Sequence, residues 1–365
     1  ALVRDLDPSS LATTLLSCES GPFQRTKFSI AHRGAPLGFP EHTREGYQAA
    51  ARMGAGVIEC DVTFTKDKYL VCRHSQCDLH TTTNILQTEL ANSCTTPFAP
   101  ATDNSSATAR CCTSDITLGQ FKQLCGRRDI VNQQATTIDA YLTAPISEWV
   151  DVPVLCGTLM THPESIKLID TLGADFTPEL KAPMVIMPFN NFSQSQYASK
   201  MLNQYHQANI NPQRVYPQSF RLEDVLYWIE QHPEFGSQAV FLDPRGRAAD
   251  FKANLIDMQQ LYQAGVRIIA PPIPMLIKLD EQGKLVATDY ARYAKQAGLE
   301  IITWTLESGH ATDPNNWLYG SINGYMAKEA NMLNVLDMLA TNVGIRGIFS
   351  DWPGTVTYYD NCLNR

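Results

Sequence analysis

The sequence predicts an α/β protein, a (β/α)8 TIM barrel with a cysteine-rich insertion after the second strand unit. Three observations carry that expectation. Eight short apolar, β-branched segments recur along the chain, each closed by a turn or helix signal. Amphipathic helix-like stretches lie between them, and that alternation implies parallel strands joined by crossover helices. An open doubly wound sheet would carry a Gly-rich phosphate loop after its first strand; here the turn "HRG" (32–34) has a single glycine, and no GxGxxG occurs.

The expected strands are 27–32, 55–64, 173–181, 214–220, 238–244, 266–272, 299–306 and 346–353. The expected helices are "TREGYQAAARMG" (43–54), with alanines at helical spacing and a stop at Gly54, then 194–209, 221–233, 251–265, 289–298 and 331–344. One region breaks the rhythm. From about Gln76 to about Ser165 the chain is rich in Thr, Cys and Ala, reads as irregular, and holds six of the ten cysteines. A loop of this length inside a compact domain is usually functional or a small subdomain. The expected organisation is one barrel domain over 1–365 with an insertion subdomain at 76–165 held by disulfides. Cys111 and Cys112 are expected to take separate partners, because bridging neighbours is geometrically awkward.

The 365 residues are 44% hydrophobic and 18% charged, an ordinary globular composition with length for a large core. The net charge of −8, with basic residues scattered, argues against a nucleic-acid binder. The most apolar stretch, 266–279, is short and broken by three prolines, so no membrane-spanning segment is expected. The N-terminus lacks a basic start and a long apolar run and is not a signal peptide. Ten cysteines, an even number crowded between 60 and 156, suit an oxidising compartment, and the expected form is a secreted mature chain. Asn104-Ser-Ser and Asn191-Phe-Ser are glycosylation sequons. Paired CxxC motifs are absent, which argues against zinc.

Residues two apart share a face of a strand. Glu59 and Asp61 therefore lie together near the end of strand two, with Cys60 pointing away. Glu179 and Lys181 share a face of strand three. His32 ends strand one, Trp304 lies near the end of strand seven, Ser350 and Asp351 close strand eight, and His74 follows the short hairpin after strand two. A barrel opens the C-terminal ends of all its strands onto one active face. Three carboxylates converging there repel one another unless a cation neutralises them, and oxygen donors favour Mg²⁺ or Ca²⁺. Arg33 and Lys181 suit a phosphate. His32 and His74 suit proton transfer near neutral pH. Taken singly, each residue also has an ordinary structural reading: a solvated strand end, a hydrogen-bonded histidine, a surface ion pair, a core tryptophan. Joint placement at strand ends turns the reading toward phosphate-ester cleavage.

The ordered set "HRG" (32–34), "PEHT" (40–43), "GAGVIECDVTFTKD" (54–67), His74, "PELK" (178–181), "WT" (304–305) and "GIFSDWPG" (347–354) resembles the glycerophosphodiester phosphodiesterase family, over about 28–354 apart from the insertion. The resemblance implies a TIM barrel, a soluble glycerophosphodiester as small-molecule substrate, and hydrolysis to glycerol 3-phosphate and an alcohol. It implies one divalent cation on Glu59, Asp61 and Glu179, catalytic His32 and His74, and phosphate contacts from Arg33 and Lys181. Glu41 falls where the family orders the site or touches glycerol, and Trp304 joins the candidate substrate contacts. His42 stands where the usual motif has asparagine, so it either adds an imidazole near the site or faces solvent. Two rivals are a phospholipase D-like barrel acting on lysophospholipids or sphingomyelin, and a non-catalytic binding barrel. The sequence does not specify head group, preferred metal or oligomeric state.

Overall fold

The computed structural model of the chain describes residues 2–143, 156–248 and 250–363. Eight strands of the nine-stranded main sheet form the barrel: β1 Thr26–Ala31, β2 Ala55–Phe64, β3 Asp175–Leu180, β4 Gln218–Ser219, β5 Val240–Phe241, β6 Ile268–Ile269, β7 Glu300–Leu306 and β8 Gly347–Ser350. Leu70–Cys72 adds an antiparallel ninth strand on β2. Around the sheet β1 is followed by β8, β7, β6, β5, β4, β3 and β2, and β1 also pairs with β2, so the sheet closes into a barrel. The pairings β4–β5, β5–β6, β6–β7, β7–β8 and β8–β1 are parallel. A helix follows each strand: α1 Arg44–Arg52, α2 His162–Thr171, α3 Gln194–Gln207, α4 Leu222–Gln231, α5 Leu255–Gln263, α6 Asp289–Gln296, α7 Asn331–Met338 and α8 Gly354–Cys362. The expected α/β barrel is the observed fold.

Local chemistry sets the boundaries. Thr161 and Glu164 form a reciprocal capping box at the start of α2, and Ser193 with Gln196 does the same for α3. The helix expected from 251 begins only at Leu255, because the Asn254 side chain caps it by accepting from the Asp257 backbone N–H. The strand expected over 214–220 shrinks to two residues. A 3₁₀ turn occupies Pro212–Arg214, and Pro217 has no N–H; its carbonyl accepts from Val240 at 2.8 Å. Prolines at 244 and at 271–272 follow β5 and β6 in the same way. After α7 the backbone widens into a π-helical turn, Leu339–Val343, and stops at Gly344 with φ 73°.

The chain divides into two compact units. One comprises 1–32, 50–57 and 216–365 and holds β1, β4 to β8 and α4 to α8. Its apolar centre joins Ile30, Val57, Val240, Ile268, Ile302 and Phe349. The Cys18–Cys362 disulfide ties the segment after the N-terminal helix Ser10–Ser17 to the last residue of α8.

The other unit, 33–49 and 58–215, holds most of α1 and β2 together with α2, β3 and α3. The region read as irregular has more order than its composition suggested. It contains a small hairpin, Thr96–Ala99 with Thr108–Arg110, an antiparallel pair, Cys125–Gly126 with Gly157–Thr158, several single helical turns, and an apolar cluster built on Val71, Ile85, Ile116, Phe121 and Leu159. Three disulfides cross it, Cys77–Cys112, Cys94–Cys111 and Cys125–Cys156, so the neighbours Cys111 and Cys112 do take separate partners. Residues 144–155 of the expected insertion lie outside the described residues. All ten cysteines are paired. Among the described residues, no helix is long and apolar enough to cross a membrane.

Candidate active site

The site begins where β1 ends. Arg33 has φ 55° and His42 has φ 54°, both in the left-handed region that side chains other than glycine rarely adopt. The His42 N–H donates to the Arg33 carbonyl at 2.9 Å, so the two left-handed residues close one loop. Gly34, at φ 98°, is required inside it: a Cβ there would meet the Gly46 backbone at 2.9 Å. Two residues held in this conformation at one loop mark a site that the surrounding contacts over-determine.

Those contacts are electrostatic. The Arg33 backbone N–H donates to Glu59 Oε2 at 3.0 Å, and its Nη1 donates to Glu41 Oε2 at 3.2 Å. Its Nε lies 3.7 Å from Asp61 Oδ2. Glu59 and Asp61 project from one face of β2, while Cys60 turns the other way and bonds Cys72 on the antiparallel strand Leu70–Cys72. Glu179, from β3, brings a third carboxylate. One oxygen from each of Glu59, Asp61 and Glu179 lies within 4.8 Å of the others, and all three residues are buried. Lys181 Nζ sits 2.7 Å from Glu179 Oε1.

Burial and mutual repulsion decide the charge state. Burial, reinforced by Asp61 and Glu179, pushes the Glu59 carboxyl well above the usual range. Glu179 is pushed up to about 7 by burial and by Asp61, against the pull of Lys181. Burial alone would raise Asp61 as well, but Lys181, His42 and Arg33 more than reverse it and hold it low. Three such carboxylates raise one another's proton affinity unless a positive charge enters. Asp61 Oδ1 is buried with no hydrogen-bond partner. Hard oxygen donors, mutual crowding and an orphaned carboxylate oxygen together fit a hard divalent cation.

His42 does not face solvent. It is fully buried, with Nε2 3.1 Å from Asp61 Oδ2 and Nδ1 3.0 Å from the Tyr47 hydroxyl. His74 lies beside Glu41 and Asp78, with one ligand-capable atom of each within 4.8 Å of the others. Burial, then the charges of Arg33 and Lys181, hold its imidazole well below the usual range, so it is neutral at pH 7. Burial would raise Glu41, but Arg33, His74, Arg73 and His42 pull it down to about 2. Arg73, unremarked in the sequence, is fully buried and donates from Nη2 to the Glu41 carbonyl at 2.6 Å. Its signal was available: an arginine directly before His74, beyond a buried strand, has to find an anion.

In the other unit, His32 follows β1 and donates its backbone N–H to Ser350 at 3.1 Å. Its Nδ1 lies 2.5 Å from Asp351 Oδ1. Asp351 stood at the end of strand eight with no role attached; the fold makes it the group that orients His32. Trp304 anchors its indole N–H on the Ala270 carbonyl at 2.8 Å and packs edge-on against Phe220 and Trp317. The Arg247 guanidinium lies 4.5 Å from the Trp317 ring centre.

The sequence profile of the glycerophosphoryl diester phosphodiesterase family matches residues 32–355. A relative in Arthroderma benhamiae, named "Extracellular protein", is 38% identical over 243 residues, covering 65% of this chain and 99% of its own. Among solved structures, a Silicibacter pomeroyi protein assigned as a glycerophosphoryl diester phosphodiesterase superposes with a TM-score of 0.62 at 18% identity, over 94% of this chain and 95% of its own. An Oleispira antarctica phosphodiesterase, solved in complex with the product sn-glycerol-3-phosphate, superposes with a TM-score of 0.54 at 15% identity, over 92% and 96%. At these identities the structures share the fold. The profile match runs from His32 to the first turn of α8, and the chain belongs to the glycerophosphoryl diester phosphodiesterase family, a family of phosphoric diester hydrolases.

Proposed function

We propose that the chain hydrolyses a glycerophosphodiester to glycerol 3-phosphate and an alcohol, with Glu59, Asp61 and Glu179 holding one divalent cation, Mg²⁺ or Ca²⁺. The observation that carries this reading is the buried carboxylate triad, with its oxygens within 4.8 Å of one another. When bound, the cation supplies Lewis-acid charge to a phosphate oxygen.

The protein's own residues do the rest. Arg33 and Lys181 lie against the carboxylates and offer two cations for the phosphate's remaining negative charge. His74, kept neutral by its burial, accepts the proton of the attacking hydroxyl, either the substrate's glycerol hydroxyl or water. The new P–O bond forms as the bond to the alcohol breaks. His32 gives its proton to the departing alkoxide oxygen, its ring oriented by Asp351 at Nδ1. If glycerol attacks, the cyclic phosphate is opened by water with the two roles exchanged. Glu41 keeps the Arg33 guanidinium aimed inward, and Trp304 is the candidate wall for the alcohol group.

Five disulfides and the extracellular relative support a secreted protein. The sequon residues Asn104 and Asn191 are both exposed, as acceptors must be. The test is a panel of glycerophosphodiesters run with Mg²⁺, Ca²⁺ or EDTA, reading glycerol 3-phosphate. Release with one cation and none with EDTA is expected. No release from any diester with either cation would overturn the reading in favour of a binding barrel; release of phosphate-linked lipid products only, from lysophospholipid, would favour the phospholipase D reading.

A further inference from the structure

The loop from Lys181 to Asn191, "KAPMVIMPFNN", leaves β3 directly after the carboxylate triad. It is apolar and carries two of the large exposed hydrophobic side chains among the described residues. Ile186 is 90% exposed and Met184 44% exposed. Such side chains are usually withdrawn from water unless something covers them.

The exposure is enforced. At its near end the Met184 N–H donates to Gln76 Oε1 at 2.6 Å, its carbonyl accepts from Arg110 at 3.3 Å, and its sulfur accepts from the Ser75 hydroxyl at 3.0 Å. At its far end Phe189 and Phe192 exchange both backbone hydrogen bonds, at 2.9 and 2.8 Å, across Asn190 and Asn191. Both asparagines are left-handed, at φ 47° and 65°, the geometry of a two-residue hairpin turn. The two phenylalanines pack on Phe64. Pinned at both ends, the loop presents Ile186 to solvent.

Lysines lie around its base, with one exposed acid, Asp67, between Lys66 and Lys68. Lys68 Nζ donates to the Asn190 carbonyl at 2.7 Å, and Lys200 Nζ donates to the Lys68 carbonyl and lies 5.5 Å from the centre of the Tyr69 ring. Tyr69 is 52% exposed, and Lys66 beside it is exposed. Arg110 holds the other end of the loop. An apolar tip with an exposed tyrosine and lysines around its base is the chemistry of a bilayer interface. The aliphatic chain enters the acyl boundary, the ring sits at headgroup depth, and the cations meet anionic headgroups.

We propose that this loop docks the protein reversibly on an anionic lipid bilayer, with Ile186 as the inserted side chain. The proposal stands apart from the hydrolytic reading, since vesicle binding requires no turnover.

The test is vesicle co-sedimentation of the full chain, treated to remove any N-glycan because the sequon residue Asn191 is the last of the loop. Vesicles are phosphatidylcholine alone or equal parts phosphatidylcholine and phosphatidylserine. Binding to the anionic vesicles, weaker binding to phosphatidylcholine, and release by high salt are expected. Ile186→Ser should lower the partition coefficient about tenfold and Ile186→Asp at least as much, with hydrolysis of a water-soluble glycerophosphodiester unchanged. Ile186 is exposed, so both variants are expected to fold. Wild-type protein left in the supernatant with both vesicles, or wild-type binding by Ile186→Asp, would overturn the proposal. So would a dimer in light scattering that Ile186→Ser dissociates while vesicle binding stays absent; the apolar tip would then belong to a second copy.

Discussion

His42 holds Asp61 from inside the fold: its Nε2 lies 3.1 Å from Asp61 Oδ2, and its Nδ1 lies 3.0 Å from the Tyr47 hydroxyl. The network assigns the tautomer. Burial, and then the Asp61 charge, raise the Tyr47 phenol well above its ordinary range, so it keeps its proton and donates to Nδ1. Nε2 then carries the imidazole proton and donates to Asp61, leaving Oδ1 for a cation. His42→Ala is expected to weaken Ca²⁺ or Mg²⁺ binding about 10- to 100-fold in calorimetric titration, as loss of an outer-shell partner does. His42→Asn keeps an N–H donor and should recover part of that affinity. Equal affinities in all three proteins would remove the positioning role.

Glu59→Gln should move two measurements in opposite directions. It removes one charge from a crowded buried triad, so the EDTA-treated variant should melt at or above the wild-type temperature. It also removes a proposed ligand, so the rise in melting temperature on adding Ca²⁺ or Mg²⁺ should vanish along with activity. A wild-type response to the cation would exclude Glu59 as a ligand.

His32→Ala and His74→Ala are each expected to lower kcat about 10²- to 10⁴-fold, the usual worth of a positioned acid or base, while the far-UV spectrum is kept. Asp351→Asn should lower kcat less than either histidine variant, because it touches only the orientation of His32. A kcat near wild type in either histidine variant would break the pair.

Glu307 gives the fold a pH dependence of its own. It is buried behind β7, accepts from the Ser350 hydroxyl at 2.6 Å, and burial pushes its carboxyl up to about 8. The folded state therefore holds a proton that the unfolded chain releases near pH 4.5. A raised carboxyl costs stability as pH rises from that value to the folded one. Glu307→Gln, neutral throughout, should gain stability relative to wild type between pH 5 and 8, read as urea midpoints at each pH. A constant difference across that range would show that Glu307 is not the titrating group.

The Cys18–Cys362 bridge spans 344 residues of chain. Replacing both cysteines by serine should cost about 2–5 kcal/mol in urea unfolding, chiefly by freeing the unfolded chain. An unchanged urea midpoint would mean that other contacts already hold the ends together.

Much of the barrel could be read from hydrophobic pattern alone, because period-two and period-3.6 repeats follow from backbone geometry. β2 and β3 fell within a residue or two of expectation. The shortest strands did not, since β4, β5 and β6 are trimmed by prolines whose effect depends on which N–H each neighbour needs. Glu59 and Asp61 were readable as a pair because a strand places residues two apart on one face. Glu179 was readable as a third carboxylate because it closes another strand at the same end of the barrel, and the family motif "PELK" (178–181) adds to that.

The sequence by itself determined the strand–helix alternation, the paired carboxylates and the family motifs, since each is a local property of spacing. It left His42 open between site and solvent, left Asp351 and Arg73 without roles, and showed the 76–165 region as irregular. The tertiary structure decided these. It buried His42 between Tyr47 and Asp61, set Asp351 against His32, placed Arg73 on Glu41, and wrapped the cysteine-rich segment around its own apolar cluster. The physical reason is that charge–charge energy depends on separation and desolvation on burial. Residues far apart in the chain acquire both only when the fold brings them together.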